Sequence, residues 1–153
     1  MKTQRYCKQI ESLDRPVNKK ELFKVLANLS TGKAFGQDLI TNEMLKISAA
    51  SVDRPLLRLF NMCIDTEIYP KEWCEGHVIP IYKSGSKSDP ANYRPITIGS
   101  CLGKVFSTIL NDRICSFLEE NNVISNVQIG FLKGHRTSDH VLLLKAIIDT
   151  YKR

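Results

Sequence analysis

Pro80 and Pro95 each interrupt a short run of β-branched residues, 76–83 (GHVIPIYK) and 93–98 (YRPITI), on either side of a polar turn, SGSKSDPAN. Proline has no amide hydrogen to give to a sheet, so the two runs read as an irregular hairpin with the prolines at edge or bulged positions. The rest of the chain has the helical period. Asn18 followed by Glu21 has the form of a capping box and opens a helix over 18–30 through Leu22, Val25, Leu26 and Leu29. Two glycines make 31–40 a loop, and Thr41 caps a short helix over 41–49. Asp53 and Pro55 start another over 53–67, which stops at Tyr69-Pro70. Leu102, Val105, Phe106, Ile109, Leu110, Ile114 and Leu118 define the longest helix, 101–121. A last one, 137–152, is capped by Thr137 or Ser138 and turns Val141, Leu144, Ile147, Ile148 and Tyr151 inward. The expected fold is α+β, with five helices packed around the hairpin and a leader over 1–17 that is partly disordered or begins a helix. The last helix runs straight to Arg153, which reads as truncation.

The 153 residues are 42% hydrophobic, enough for the core of one domain, and carry 22 Lys+Arg against 16 Asp+Glu, a net charge of +6. The excess lies in the second half: 10 basic and 6 acidic side chains over 77–153, against 12 and 10 over 1–76. Such a bias suits an anionic partner, nucleic acid among them. No run approaches the roughly 18 apolar residues of a membrane-spanning helix, and the N-terminus leads into no apolar signal core. The chain therefore reads as intracellular, in cytoplasm or nucleus, without a membrane partner. Cys7, Cys63, Cys74, Cys101 and Cys115 are odd in number and form no C-x-x-C pair, so they read as reduced, mostly buried thiols. His77, His135 and His140 complete no zinc-finger spacing with them, and no metal site is expected.

Hairpin geometry gives the sharpest chemical expectation. With the turn taken as symmetric about Ser88-Asp89, Ile79 pairs with Ile98, Ile81 with Ile96 and Lys83 with Arg94, all on one face. Two cations placed opposite each other repel, which makes sense if an anion such as phosphate sits between them. The alternative is that both heads simply project into water at the hairpin mouth. Lys133, His135 and Arg136 form a second basic cluster around Gly134, just before a helix N-terminus that would attract phosphate, or else a solvated loop. Gly32-Lys33-Ala34-Phe35-Gly36 lacks the spacing of a Walker loop. The eight Asp residues are scattered, whereas two-metal phosphoryl-transfer sites need grouped carboxylates. Asp139-His140 resembles an acid/base pair, but adjacent helix positions do not face each other, so Asp139 is expected to serve the helix N-terminus.

Several of these residues together resemble a known family. Trp73-x-x-x-x-Val78-Ile79-Pro80-Ile81-x-Lys83-x-Gly85, then Asp89-Pro90-x-Asn92-Tyr93-Arg94-Pro95-Ile96-Thr97 and Lys104-Val105-Phe106, resemble the fingers region of reverse transcriptases from non-long-terminal-repeat retrotransposons. Upstream, Lys33-Ala34-x-Gly36-x-Asp38-x-Ile40-x-Asn42-Glu43 is similar to that family's opening motif, and the run from Gln128 to His140 to its next block. The resemblance covers about residues 32 to 152. It implies a mostly helical fingers subdomain of a right-hand polymerase, without the catalytic palm.

By that resemblance Lys83 and Arg94 hold the triphosphate of the incoming deoxynucleotide, and Lys133 and Arg136 lie along the template or primer backbone, with Lys104 a further nucleic-acid contact. Trp73, Tyr93 and Phe131 are expected to pack in the core or hairpin rather than stack on bases. The partners implied are an RNA or DNA template-primer, dNTP and the missing palm. In the family the palm supplies one aspartate from a strand and an Asp-Asp pair from a Tyr-x-Asp-Asp turn. Neither motif occurs here, so this chain is expected to hold no cofactor, Mg²⁺ belonging to the complete enzyme, and to be inactive alone. The other reading is a non-catalytic nucleic-acid-binding or protein-interaction module from a decayed element. The family also has proline at the positions of Phe35 and Gln37, glycine at Leu39 and arginine at Leu132. Losing the prolines frees the loop at 31–40, and losing the arginine removes a cation.

Overall fold

Helix α2 (Lys19–Ala27) starts where its capping box requires. The Asn18 side chain accepts from the Glu21 N–H at 3.1 Å, and the Glu21 carboxylate accepts from the Asn18 N–H at 3.0 Å. The computed structural model describes residues 10–125, 128, 130, 134 and 136–152. A single turn, α1 (Glu11–Asp14), precedes α2, and α3 (Asn42–Ile47), α4 (Ala49–Thr66) and α5 (Lys71–Cys74) follow it. The antiparallel strands β1 (Gly76–Tyr82) and β2 (Tyr93–Gly99) come next, with a 3₁₀ turn at Pro90–Asn92 between them, then α6 (Cys101–Glu120) and α7 (Thr137–Tyr151). The chain divides into two compact units, Met1–Cys115 and Ser116–Arg153.

The core of the first unit is helical. Leu22, Val25 and Leu26 of α2, Leu45 of α3, Leu56, Phe60 and Cys63 of α4, and Cys101, Val105, Phe106 and Ile109 of α6 are all buried, joined by Val17 and Leu29. Phe60 meets Phe106 at 5.3 Å and Trp73 at 5.9 Å between ring centroids, so α5, which the sequence pattern did not suggest, exists to carry Trp73 inward. Thr41 caps α3 as expected, its Oγ1 accepting from the Met44 N–H at 3.2 Å. Helix α4 begins four residues earlier than Asp53, because the Ser48 carbonyl already accepts from the Ser51 and Val52 amides at 2.8 and 3.0 Å. Pro55 is consequently inside the helix, and the bond it cannot make would have gone to the exposed Ser51 carbonyl.

Several expectations are corrected. The helices do not pack around the hairpin: no residue of β1 or β2 is among the buried core, and Val78, Ile79, Ile81 and Ile96 are all exposed. Two strands alone cannot bury either face, so both remain open to water. Ile114 is half-exposed, because the inward place on that turn of α6 belongs to Arg113. In the second unit Val141, Leu144, Ile147, Ile148 and Tyr151 of α7 are 40–87% exposed rather than turned inward. The other described helical residues of that unit are only the last turn of α6, too short to cover a 15-residue helix. The α7 cap is Arg136, whose N–H donates to Asp139 Oδ2 at 2.8 Å, so Asp139 does serve the N-terminus. Cys63 and Cys101 are buried, but Cys74 and Cys115 are exposed, and Cys7 lies outside the described residues.

Arg113 holds the first unit together. Its side chain is 3% exposed, and Nε and Nη2 donate to the two Glu21 oxygens at 2.9 and 3.0 Å. The remaining donors reach the carbonyls of Leu13 (3.0 Å), Arg15 (2.6 Å) and Pro16 (3.1 Å). Burial alone would raise the Glu21 carboxyl; the Arg113 and Asn18 hydrogen bonds and the charges of Arg113 and Arg15 outweigh it and hold the carboxyl below its ordinary value of 4.5. That contribution to stability is present above pH 4.5 and is lost as the pH falls through the lowered folded value. Arg113→Ala leaves Glu21 with only Arg15 and the Asn18 N–H as partners and takes the donor from three carbonyls, and is expected to cost about 3 kcal/mol, read from the urea midpoint. Glu21→Gln is expected to flatten the acid limb of a stability–pH profile; an unchanged limb would refute the assignment.

Candidate phosphate-binding hairpin

The hairpin register differs from the expected one by two residues. Ile79 faces Ile96, Pro80 faces Pro95, Ile81 faces Arg94 and Tyr82 faces Tyr93. The turn is not symmetric about Ser88-Asp89 because the 3₁₀ turn at Pro90–Asn92 takes up length on its C-terminal side, with Asp89 Oδ1 accepting from the Ala91 N–H at 3.0 Å. A slip of two keeps every side chain on its face. Ile79, Ile81, Lys83, Arg94 and Ile96 therefore still share one face, with Lys83 and Arg94 now diagonal rather than opposite. Diagonal neighbours lie about 7–8 Å apart across a sheet, which lowers their repulsion and leaves room for an anion between the heads. Both cations are exposed, and among the described residues neither has an ion-pair partner.

Both prolines fit this register. The Lys83 N–H donates to the Asn92 carbonyl at 2.8 Å, so by alternation Pro80 and Pro95 form a non-hydrogen-bonded pair. Neither is asked for the amide it lacks, and each outer edge is blunted against a further strand. The tip is tied by side chains. Tyr82 Oη donates to the Gly85 carbonyl at 2.6 Å, Asn92 Nδ2 to Ser86 O at 2.9 Å, and Tyr93 Oη to Lys87 O at 2.9 Å. The two tyrosine rings meet edge-on at 5.6 Å, and Lys87 Nζ lies 5.8 Å from the Tyr82 ring. These side-chain ties are not legible in the sequence. The composition of SGSKSDPAN marks a turn but does not say which carbonyls its flanking side chains reach.

At its base the hairpin is anchored by the opening motif. Gly36 lies so close to the Gly99–Ser100 backbone that a Cβ there would sit 2.8–2.9 Å from it. Asp38 Oδ2 accepts from Ser100 Oγ at 2.7 Å, and Ser100 Oγ accepts from the Leu102 N–H at 3.1 Å, so a relayed carboxylate caps α6. Lys104 is exposed on that first turn of α6. Arg94 stands five residues up β2 from Gly99, roughly 17 Å at the rise of a strand, so Lys104 is not brought to the Lys83–Arg94 pair. Arg136 is exposed before α7 in the second unit, and Lys133 and His135 lie outside the described residues, as do Phe131 and Leu132. Trp73 packs in the core and Tyr93 in the hairpin, as expected. No group of three or more His, Cys, Asp or Glu side chains among the described residues could hold a metal ion, and no helix among them is long and apolar enough to cross a membrane.

Comparison with curated proteins agrees with the motifs. The chain is similar over most of its length to RNA-directed DNA polymerases of non-long-terminal-repeat retrotransposons. It is 30% identical over 154 residues to the "Probable RNA-directed DNA polymerase from transposon X-element" of Drosophila melanogaster, covering 97% of this chain and 17% of that relative. It is 26% identical over 160 residues to the "Probable RNA-directed DNA polymerase from transposon BS" of the same organism, covering 97% of this chain and 18% of the relative. With the "RNA-directed DNA polymerase from mobile element jockey", also of Drosophila melanogaster, the figures are 27% over 146 residues, 88% and 16%. The chain thus spans under a fifth of the length of these relatives. No protein-family model matches it.

One departure from the family motif has a physical signature. Leu39, where the resemblance leads one to expect glycine, has φ +57° and is 65% exposed. A left-handed backbone costs an L-residue with a Cβ about 1–2 kcal/mol relative to glycine. Leu39→Gly is expected to stabilise the chain by about 1 kcal/mol, seen as a raised thermal midpoint; a lowered midpoint would show that leucine packing outweighs the strain.

Proposed function

We propose that the chain is the fingers part of a retrotransposon reverse transcriptase, and that its hairpin holds phosphate groups of the incoming deoxynucleotide. The observation that carries this is the placing of Lys83 and Arg94 as diagonal neighbours on one face near the tip of the hairpin, neither neutralised by a carboxylate among the described residues. Phosphoryl transfer depends largely on positioning and charge neutralisation, which is what two exposed cations on a stiff ribbon supply. Lys104 and Arg136, with Lys133, are assigned to the template-primer backbone. The part assigned to this chain is binding and orientation, Mg²⁺ belonging to the complete polymerases, and the isolated chain is expected to extend no primer.

The test is binding of a short single-stranded oligonucleotide and of dNTP to the purified 153-residue chain across a salt series. Affinity is expected to fall with salt, and Lys83→Ala and Arg94→Ala each to weaken it, lowering the log–log slope for the oligonucleotide by about 0.7 for each phosphate that is no longer neutralised. Binding insensitive to salt, or to both substitutions, would overturn the assignment. Mg²⁺-dependent primer extension by the same chain would overturn its inactivity.

A second reading, a protein-interaction module, is favoured by α7, whose Val141, Leu142, Leu143 and Leu144 are each more than half exposed. It predicts concentration-dependent self-association in sedimentation, and a clean monomer would count against it.

A further inference from the structure

The tip of the hairpin presents main-chain donors as well as lysines. The carbonyls of Gly85, Ser86 and Lys87 are all engaged, by Tyr82 Oη, Asn92 Nδ2 and Tyr93 Oη in turn. All three donors sit on the ends of the flanking segments, so three consecutive carbonyls are drawn back toward the ribbon. In a trans peptide the C=O and the next residue's N–H point in opposite directions, and no peptide bond among the described residues is cis. The N–H groups of Ser86, Lys87 and Ser88 therefore point outward from the tip. Ser88 N–H is taken by Ser86 Oγ at 3.3 Å, whereas the Ser86 and Lys87 amides have no acceptor among the described residues. Gly85 permits the reversal: its φ is +95°, and a Cβ on it would fall 2.7–2.9 Å from the Asn92 amide group. The loop's one carboxylate, Asp89, is engaged with the Ala91 N–H.

Two successive outward amides, flanked by Lys83 and Lys87, make a local positive field of the kind that binds phosphate. We propose that residues 83–87 form a phosphate cradle in which the Ser86 and Lys87 amides hold the anion, with Asn92, Tyr82 and Tyr93 as positioning residues. The proposal rests on the preceding reading for the class of ligand and adds to it donors that no side-chain motif reveals.

The test uses the full ¹⁵N-labelled chain, titrated with inorganic tripolyphosphate and, separately, with a short single-stranded oligodeoxynucleotide. The Ser86 and Lys87 amide signals are expected to shift saturably. Asn92→Ala, which removes one of the two hydrogen bonds on the Ser86 carbonyl, the other coming from the Asp89 N–H at 3.3 Å, without removing a charge, is expected to weaken binding about tenfold with an unchanged thermal midpoint. A response to tripolyphosphate alone assigns the phosphate to a nucleotide and a response to the oligonucleotide alone assigns it to a nucleic-acid backbone; both uphold the cradle. If Lys83→Ala and Arg94→Ala abolish binding while the Ser86 and Lys87 amides stay still and Asn92→Ala binds normally, the cradle is wrong and the side-chain reading stands. If the amides shift and Asn92→Ala weakens binding while Lys83→Ala and Arg94→Ala do not, the cradle stands and the side-chain reading fails. No shift with either ligand overturns the proposal.

Discussion

A single guanidinium joins three elements of the first unit. Arg113 comes from α6, its carboxylate partner Glu21 from α2, and its three carbonyl acceptors from residues 13–16. Burying a lone cation in a helical core is prohibitive, and burying an ion pair repays its desolvation only when the remaining donors are satisfied. All five hydrogen bonds here are 2.6–3.1 Å, and the planar fork of arginine makes them in a way that the single ammonium of lysine could not. Glu21 is shared between this pair and the α2 cap, so helix initiation and tertiary packing draw on one side chain. Asn61 completes the attachment by bonding both the N–H and the carbonyl of Val17, whose side chain then enters the core.

This helical platform matters because the hairpin has no core of its own. A two-stranded ribbon exposed on both faces is marginal by itself, and its direction has to be set at its base. That base is the close approach of Gly36 to the Gly99–Ser100 backbone and the relay from Asp38 through Ser100 to the start of α6. Gly103 adds to it by letting Tyr69 and Trp73 pack within about van der Waals distance of α6; a Cβ there would lie 3.0 Å from each. The far end is stiffened differently, by hydroxyl and amide side chains that use up loop carbonyls. A ribbon fixed at the root and tied at the tip can hold two like charges in place, which a free loop carrying the same lysines cannot do without an entropy cost.

Features fixed by local chemistry could be read from the sequence, and features fixed by distant residues could not. The capping box at Asn18, the cap at Thr41 and the hairpin with its prolines are local, and each is where the residue pattern puts it. The face shared by Lys83 and Arg94 was also readable, since alternation survives any even slip of register, whereas the register itself depended on a 3₁₀ turn inside a polar loop. Arg113 left no signal, because an arginine amid an apolar period looks like any solvated position until Leu13, Arg15, Pro16 and Glu21 are brought to it. The inward face assigned to α7 failed for a related reason: periodicity reports that a helix has an apolar side, not that anything covers it.

The motif residues divide by role in a way that their resemblance alone does not disclose. Gly36, Asp38, Gly85, Asp89 and Asn92 shape backbone: a close approach, a relayed cap, a left-handed reversal, a 3₁₀ cap and a carbonyl tie. Only Lys83 and Arg94 in the hairpin motif present charge to solvent on the same face. A motif that spends most of its residues on geometry and two on charge implies that placement, more than the number of cations, is what the hairpin supplies. The departure at Leu39 fits that division, since a left-handed residue in the loop that anchors the hairpin base alters backbone cost without touching any charged group. Substitutions in this chain can therefore erode the hairpin's anchoring while leaving the face that carries Lys83 and Arg94 unchanged.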